Sequence, residues 1–557
     1  MAGVKLRRPR AGAAARHADG CMYPYVGVFA GALLLRLLYL VSIRHAYFFH
    51  HLQTEALRYH QWATLILDAP APPHPPFEQS PGYAYFVAAV YALFGRSMTA
   101  VAAAQAILDA ATCVLIAAAA RHWFGARAGI IAAMLAAAYG PLIYFSGELL
   151  PSTLFVFVAM LAVYVTLRRA WTLAGALWGL ALVVRSEALL AFPLVLLDAW
   201  RRGRQHGAVR LLVPLLVVFG IFIGMNAAYS PKLVLLTTSG GLNLWVGNNP
   251  YADGVNPFPS GPSESIADRV RAHAADAAEW DQTLRGYALA FWRDQPLAAA
   301  QLLWKKFLLT WTDRELPNTT DIDWQTGQSW LFWPPLFPLR FGVILPLAAA
   351  GALLLGGEWR ELSLLGALIS VGVGSATVFF TNARFRLIMI PSLLILAAVA
   401  LDRLPGMLRQ GRRTRRPLVL AGVGMGLGLL AAWSNVYGVR TYQVAQIAVN
   451  TGVQEREAGN FVAAVRFLRA GLARTPDDAI AWIHLALALE QQGNARASIQ
   501  AYLDGLAQVP QDRDLQVMAS RGFQLHGLDP TLVQTYVASG SEAARREVAQ
   551  QILQALR

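Results

Sequence analysis

The chain has 557 residues, of which 56% are hydrophobic and 14% are charged. Soluble globular proteins carry about 25% charged residues, so the composition excludes a soluble protein of this size and predicts a polytopic membrane protein. Two cysteines, Cys21 and Cys113, exclude a disulfide scaffold and a cysteine-ligated zinc site. The net charge of +14 lies mostly in short segments beside hydrophobic runs. It therefore indicates membrane topology and excludes nucleic acid as a partner.

The hydrophobic runs predict an all-α bundle of about eleven membrane spans, extending over residues 23–435. A span needs about 20 apolar residues. The short runs around 172–200 also fit a hairpin that does not fully cross, and segment 81–95 is too short to be counted. The predicted spans are 23–44, 98–119, 127–144, 149–167, 172–186, 187–200, 211–229, 340–357, 362–380, 386–402 and 417–433.

The distribution of arginine predicts the orientation of the bundle. The N-terminal segment 1–22 and the loops Arg201–Arg210 and Arg403–Arg416 are rich in arginine, and the positive-inside rule places such short segments in the cytoplasm. An odd number of spans keeps all of them on one side. The predicted location is a bacterial-type inner membrane, with membrane lipids as partners. The external segments are then the loops 45–80 and 230–335 and the C-terminal region 445–557.

Four glycines near the end of the bundle resemble a phosphate-binding loop at first sight. They are Gly422, Gly424, Gly426 and Gly428. No predicted strand precedes them, and small residues within a span usually allow helices to pack closely. The sequence therefore predicts a packing role.

The C-terminal region 445–557 has a 34-residue period. Gly459, Gly493 and Gly527 recur at this spacing, as do Leu468, Tyr502 and Tyr536. The spacing and residue types resemble tetratricopeptide repeats, in which paired helices stack into an α-solenoid. The region is predicted to be an extracytoplasmic repeat domain that binds a protein partner or acceptor. An ordinary helical domain with chance periodicity is the alternative.

Charged and aromatic side chains gather at the predicted outer ends of the spans. Ionisable groups at a membrane edge are costly and indicate function. A carboxylate can deprotonate an acceptor, and arginines can hold a phosphate leaving group. This combination favours transfer from a lipid-linked phosphate donor. The residues are Glu55, Tyr59, Glu148, Arg185, Glu187, Arg384 and Arg386.

At these positions the chain resembles the GT-C membrane glycosyltransferases, in the branch of protein mannosyltransferases and aminoarabinose transferases (glycosyltransferase family 39-like). The resemblance covers about residues 25–405. It departs at Thr54–Glu55, where the family usually has aspartate. The matching segments are Glu55 to Tyr59, Pro81–Gly82–Tyr83, Glu148 after a proline break, Gly179 to Arg185, the asparagine-rich Gly240 to Gly254, and the stretch RFRLIMIP that begins at Arg384.

The resemblance implies an inverting transfer from a polyprenyl-phosphate sugar, with no cofactor; a divalent metal is not expected, although some oligosaccharyltransferases of the broader class use one. By this analogy Glu55 is the base. Arg384, Arg386 and Arg185 are phosphate ligands, and Tyr59, Glu148 and Asn248 contact substrate.

Structural alternatives remain open for each residue. Glu55 could orient a helix, Glu148 and Arg185 could form an ion pair, Arg384 and Arg386 could reach lipid headgroups, and Asn248 could shape a turn. His50 and His51 lie near Glu55, but no HExxH motif is present, so interfacial histidines are favoured over zinc ligands.

Two other functions compete with the transferase prediction. A decayed, inactive transferase body could anchor the repeats as a membrane scaffold for protein assembly. A polymer ligase or flippase is the third possibility, although neither a further arginine-rich outer loop nor inverted repeats are visible.

Overall fold

The computed structural model describes residues 23–68, 77–228, 230, 232–256, 262–317, 321–332, 339–356, 362–410, 414–438 and 445–556. The predicted basic segment 1–22 and the proline run Pro70–Pro76 lie outside the described residues. Within them the chain is helical and contains no strand, which confirms the predicted all-α class.

The first part of the chain contains twenty α-helices among the described residues. In chain order they are α1 (Tyr23–Ile43), α2 (Tyr47–His50), α3 (Thr54–Asp68), α4 (Gly82–Phe94), α5 (Met98–Phe124), α6 (Ala126–Ala137), α7 (Gly140–Gly147), α8 (Ser152–Leu167), α9 (Trp171–Val184), α10 (Phe192–Ala227), α11 (Gly240–Gly247), α12 (Pro262–His273), α13 (Ala277–Asp294), α14 (Pro296–Leu309), α15 (Ile322–Gly327), α16 (Phe341–Leu355), α17 (Ser363–Val378), α18 (Ala383–Leu387), α19 (Ile390–Gln410) and α20 (Arg415–Trp433). The C-terminal part adds α21 (Ala445–Glu457), α22 (Phe461–Leu472), α23 (Ala479–Gln491), α24 (Ala495–Gln508), α25 (Arg513–Leu525), α26 (Leu532–Ala538) and α27 (Glu542–Ala555).

The chain is a multi-pass membrane protein. Among the described residues, five helical segments are long and apolar enough to cross a membrane, or six if α6 and α7 form one bent span. Further apolar helices, such as α8, α9, α16 and α17, are shorter than 18 residues. The count of eleven spans therefore stays a prediction.

Most of the predicted spans 187–200 and 211–229 lies in α10 (Phe192–Ala227), which is broken at Arg204. There φ is 52° and ψ is −153°. A Cβ at Gly207 would lie 2.8 Å from the carbonyl oxygen of Ala199, a distance that a straight helix of eight residues cannot give. The chain therefore folds back inside the arginine-rich loop.

An ion pair inside the bundle supports the break between α6 and α7, which are bent by 52°. Arg36 Nε donates to Asp109 Oδ2 at 2.7 Å, and both side chains are buried. Arg36 also donates to the carbonyl oxygens of Ala136 at 3.3 Å and Ala137 at 2.8 Å. These carbonyls lie in the last turn of α6, where Ala136 O also accepts from the Tyr139 N–H at 3.4 Å, and Arg36 adds donors to a helix end that is short of them. The arginine therefore caps the helix where the span bends.

The structure confirms the packing role for two of the four glycines in α20. A Cβ at Gly424 would lie 2.7 Å from Ala349 O, and one at Gly428 would lie 2.6 Å from Pro346 Cα, both on α16. Gly422 and Gly426 have no atom within 4 Å of such a Cβ. One face of α20 therefore approaches α16 backbone to backbone, as small residues allow.

Gly428→Val should lower the stability of the bundle by about 1 to 3 kcal/mol, because overpacking a close helix contact forces the backbones apart. Gly426→Val is the matched control and should change little, since its Cβ faces open space. Thermal unfolding of both variants in lipid nanodiscs measures the effect. Equal melting temperatures for the two variants would contradict the packing role.

The described chain divides into two compact units. The first comprises Met1–His45, Leu52–Glu315 and Thr326–Tyr437, and the second comprises Ala46–His51, Leu316–Gln325 and Gly438–Arg557. The second unit thus includes two segments from the predicted external loops. Trp324 Nε1 donates to the carboxylate of Glu455, and Tyr47 donates to Glu457 at 2.9 Å.

Paired helices with a 34-residue spacing form the second unit. Gly459, Gly493 and Gly527 end α21, α23 and α25 with φ of 85°, 78° and 73°, a conformation that glycine adopts without strain. The recurring residues Leu468, Tyr502 and Tyr536 are buried. These features fit the predicted helical repeats, and membership of the tetratricopeptide class stays a prediction.

Candidate functional site

Glu55 and Arg384 form an ion pair at the centre of the candidate site, although 329 residues separate them. Glu55 stands in the first turn of α3, where the helix dipole favours a negative charge. Arg384 stands on the short helix α18, which Asn382 caps by accepting a hydrogen bond from the Phe385 N–H at 2.8 Å. Both charged side chains keep some exposure, 17% and 10%. They can therefore be reached by a substrate.

Arg384 has unused hydrogen-bonding capacity. Its Nη1 donates to the Glu55 carboxylate, while its Nε is buried and has no hydrogen-bond partner among the described residues. A buried donor without a partner costs free energy, and guanidinium groups bind carboxylate and phosphate oxygens in pairs. The spare donor therefore suits an incoming anion.

Arg185 is brought to the same cluster but is committed to a neighbour. Its Nη2 donates to Glu187 Oε1 at 2.5 Å and its Nε to Glu187 Oε2 at 3.2 Å. The guanidinium also lies over the rings of Phe155 and Phe385, at 5.8 and 5.1 Å from their centroids. Sequence reasoning noted Glu187 and did not assign it as the partner of Arg185.

The guanidinium of Arg386 is bound by other groups of the protein. It pairs with Glu315 at 2.6 Å and donates to the backbone carbonyls of Thr312 at 2.5 Å and Arg314 at 3.2 Å. Its guanidinium lies 4.1 Å from the ring centroid of Phe341. In this structure Arg386 holds the segment after α14 to α18, and its predicted role as a phosphate ligand stays a prediction.

Tyr59 lies on α3 one turn after Glu55 and is buried. Burial raises the pKa of its hydroxyl well above the ordinary value, and the charges of Glu55, Arg384 and Arg185 also act on it. Its ring meets that of Tyr83 edge to face, with centroids 4.9 Å apart. Tyr59 therefore forms an aromatic wall beside the ion pairs and stays protonated.

The structure explains why glycine stands in the Pro81–Gly82–Tyr83 segment. A Cβ at Gly82 would lie 2.9 Å from the carbonyl oxygen of Val183, so glycine lets α4 reach the end of α9, directly before Arg185. Tyr83 then donates to Gln105 Oε1 at 2.9 Å. The segment thus contacts both the end of α9, next to Arg185, and Gln105 on α5.

Gln105 connects this tyrosine to the loop that carries Glu148. Its Nε2 donates to the carbonyl oxygens of Ser146 at 3.1 Å and Glu148 at 2.8 Å. Gln105 is buried within the long apolar helix α5. Sequence reasoning missed it, and missed Arg36 and Asp109 as well. The signal in each case was a polar residue inside a predicted span, which indicates function or an internal partner.

Glu148 follows α7 and precedes α8, outside both helices. No hydrogen bond or ion pair of its carboxylate occurs among the described residues, and burial raises its pKa to about 7. Tyr83 lies within electrostatic reach of both Glu148 and Glu55. The charges of the two predicted carboxylates therefore both act on this tyrosine.

Asn248 ends α11 and is fully buried. Its Nδ2 donates to Leu244 O at 2.8 Å and Val378 O at 2.7 Å, and its Oδ1 accepts from Trp292 at 3.1 Å and Lys306 at 2.9 Å. Both donors and both lone pairs of the amide are thus used by the protein. The substrate contact stays a prediction, and this arrangement fits the structural alternative.

Metal ligands were not expected in the sequence. Within the ranges that the structure describes, no group of three histidine, cysteine, aspartate or glutamate side chains could hold a metal ion. His51 stacks on Tyr47 with centroids 3.7 Å apart, and its Nδ1 contacts the Tyr47 carbonyl at 3.0 Å.

Residues 74–229 match the family described as dolichyl-phosphate-mannose-protein mannosyltransferase. The matched segment is less than a third of the chain and contains Tyr83, Glu148 and Arg185, whereas Glu55 and Arg384 lie outside it. The match supports the prediction that the chain is a glycosyltransferase. None of the curated proteins matches the sequence.

Solved structures of an archaeal oligosaccharyltransferase share a low similarity with the chain. The Archaeoglobus fulgidus oligosaccharyltransferase in complex with zinc and sulfate gives 15% identity and a TM-score of 0.41, over 72% of this chain and 52% of that one. The same organism's AglB in complex with an inhibitory peptide and a dolichol-phosphate gives 15% and 0.37, over 92% and 61%. The chain thus spans about half to three fifths of the length of these proteins, and TM-scores of this size do not establish a shared fold.

Glu148→Gln should stabilise the protein relative to wild type as the pH rises above 4.5, with the full effect above pH 7. The folded pKa of about 7 lies above the ordinary 4.5, so below pH 4.5 both states hold the proton and the carboxyl has no effect. Between pH 4.5 and 7 the unfolded chain ionises first, and stability falls as pH rises, by about 1 to 3 kcal/mol in full. The amide of the variant does not ionise, so the variant does not show this fall in the free energy of unfolding.

Melting temperatures of wild type and Glu148→Gln in nanodiscs at pH 5 and pH 8 measure the difference. The variant should melt higher than wild type at pH 8, with the gap closing toward pH 5. Glu78→Gln, at an exposed glutamate, should show no such pH-dependent gap. A gap of the same size at both pH values would contradict the raised pKa.

Proposed function

We propose that the chain is an inverting glycosyltransferase. It transfers a sugar from a polyprenyl-phosphate-linked donor to a hydroxyl or amine of an acceptor on the extracytoplasmic face of a bacterial-type inner membrane. The N-terminus is cytoplasmic in this proposal. The observation that carries it is the pairing of an accessible carboxylate, Glu55, with an arginine that still has a buried, unpartnered donor, Arg384. The family match supports the same chemistry.

The reaction begins with an exchange of partners at Arg384. Without donor, the carboxylate and the guanidinium neutralise each other. A phosphodiester that enters from the bilayer binds Arg384 through the free Nε and the fork geometry that arginine offers to phosphate oxygens. This weakens the hold of Arg384 on Glu55, and the carboxylate becomes available as a base.

Transfer then takes place in one displacement. The acceptor oxygen attacks the anomeric carbon from the face opposite the phosphate while Glu55 takes its proton. The bond between the anomeric carbon and the phosphate oxygen breaks, and polyprenyl phosphate leaves with the electron pair. Arg384 balances the charge that develops on that oxygen. We propose that Arg384, rather than a cofactor or bound cation, performs this task.

The C-terminal helical unit provides the recruitment step in this proposal. Stacked helix pairs present surfaces to protein partners, and here they recruit or position an acceptor or a partner protein. The acceptor is a protein, a lipid or a cell-wall glycan, and the donor sugar is a hexose or pentose.

Donor binding by purified protein in nanodiscs tests the proposal. Wild type should bind one of a panel of radiolabelled polyprenyl-phosphate sugars. It should then transfer the labelled sugar to an acceptor in membrane extract. Arg384→Gln should lose binding at least about tenfold, because a charged hydrogen bond contributes about 1.5 to 3 kcal/mol. Arg58→Gln is the matched control, since Arg58 lies on the Glu55 helix but is 58% exposed.

Failure of the whole panel to bind wild type would overturn the proposal. The inactive membrane scaffold would then become the favoured function, with the C-terminal unit as the part that binds other proteins.

A further inference from the structure

A cavity of about 710 Å³ lies in the predicted external segment between α11, α12 and α13, and none of its lining residues belongs to the ion-pair cluster. Its volume is in the range of small-molecule sites. Three aromatic residues line it, namely Trp245, Tyr287 and Phe291. The ring of Tyr287 is 46% exposed and lies 5.9 Å, centroid to centroid, from that of Trp245.

The walls of this cavity are fixed by the protein. Trp245 Nε1 donates to Ser263 O at 3.1 Å and Trp280 Nε1 donates to Ala267 O at 3.3 Å, which joins α12 to its neighbours. The Gly241 N–H donates to the Asp281 carboxylate, and a Cβ at Gly241 would collide with the Asp281 backbone. Helices α11 and α13 therefore meet closely at Gly241, which fixes these two walls of the cavity relative to each other.

Hydrogen-bonding side chains share the lining with the rings. Thr283, Asp294 and Gln295 contribute a hydroxyl, a carboxylate and an amide. Thr283 and Gln295 make no side-chain hydrogen bond among the described residues, and Asp294 is held by Arg293 at 2.7 Å. An apolar peptide or an acyl chain would leave these groups without new partners.

We propose that this cavity binds a saccharide. The C–H face of a sugar ring packs on an aromatic ring, while its hydroxyls need donors and acceptors at the edge. Tyr287 is the exposed platform, with Trp245 and Phe291 closing the floor. Thr283, Asp294 and Gln295 bind the hydroxyls. The cavity then holds the glycan of the acceptor, an assignment that rests on the proposed transferase function, whereas saccharide binding itself does not.

Saturation-transfer NMR on the full chain in nanodiscs, without donor, tests the site. The probes are chitotriose, mannotriose and maltotriose, with a neutral hexapeptide as the competing ligand class. At least one saccharide should give saturation transfer, and Tyr287→Ala should weaken its binding at least about tenfold. Tyr251→Ala is the matched control, because Tyr251 belongs to the same external segment, is 54% exposed and does not line the cavity.

Three results would overturn the saccharide site. They are saturation transfer to none of the saccharides, binding that Tyr287→Ala leaves unchanged, and binding of the hexapeptide alone that Tyr287→Ala abolishes. Arg384→Gln should keep saccharide binding while it loses donor binding. This separates a failure of the cavity from a failure of the transferase proposal.

Discussion

Glu55→Gln should abolish sugar transfer while donor binding is kept. The amide cannot accept the proton of the acceptor, and loss of a general base costs about 10²- to 10⁴-fold in rate. It can still accept a hydrogen bond from Arg384, so the fold of α3 and α18 should survive. Because a neutral partner competes less with phosphate for Arg384, the affinity for the polyprenyl-phosphate donor should be equal to or higher than that of wild type.

Single-turnover transfer and donor binding, measured side by side in nanodiscs, check both parts. Glu78→Gln is the matched control, since Glu78 belongs to the same predicted external loop and pairs with Arg58 at the surface. Glu55→Asp restores the carboxylate but shortens the side chain, and it should recover part of the rate. Transfer within threefold of wild type by Glu55→Gln would assign Glu55 a structural role.

Lys306→Met should destabilise the part of the first unit around α11, α14 and α17 by about 3 kcal/mol. Lys306 is fully buried. Its Nζ donates to Gly247 O at 3.0 Å, Val378 O at 3.3 Å, Phe379 O at 2.9 Å and Asn248 Oδ1 at 2.9 Å. Asn248 Oδ1 and Val378 O keep hydrogen bonds from Trp292 and from the Asn248 amide, whereas Gly247 O and Phe379 O lose the lysine donor, at a cost of about 1 to 3 kcal/mol for each group.

The position of Lys306 explains why its charge is tolerated. It lies at the carboxyl ends of α11 and α17, where helix dipoles favour a cation. Burial lowers the pKa of the ammonium to about 7, and the surrounding carbonyl oxygens favour the charged form. The Lys306 carbonyl also accepts from Thr381 Oγ1 at 3.0 Å. The lysine thus holds the segment that leads into Arg384.

Thermal unfolding in nanodiscs measures the loss, with Lys305→Met as the matched control. Lys305 is the adjacent lysine and lies 5.3 Å from the ring centroid of Tyr437, a contact that contributes about 1 kcal/mol or less at an exposed position. Lys306→Met should therefore melt well below Lys305→Met. Similar melting temperatures would show that Gly247 O and Phe379 O find other donors.

The sequence by itself determined the class of protein and the local elements. A low charge content and long apolar runs require a helical membrane body, because backbone groups in lipid must be satisfied within the segment. The fold-back near Arg204, the glycine face of α20 and the 34-residue spacing of Gly459, Gly493 and Gly527 follow from local pattern. Each depends on residues close in the chain, so periodicity and composition suffice.

The tertiary structure alone decided which charges act together. Glu55 lies 329 residues from Arg384, and Arg36 lies 73 residues from Asp109. Sequence reasoning proposed Arg384 and Arg386 alike as phosphate ligands, with Arg185 as a weaker candidate, whereas the fold gives Arg386 a full set of protein partners and leaves Arg384 a spare donor. A guanidinium is the same group at every position. Its availability depends on the carbonyls and carboxylates that packing brings within about 3 Å, and these come from elements distant in the chain.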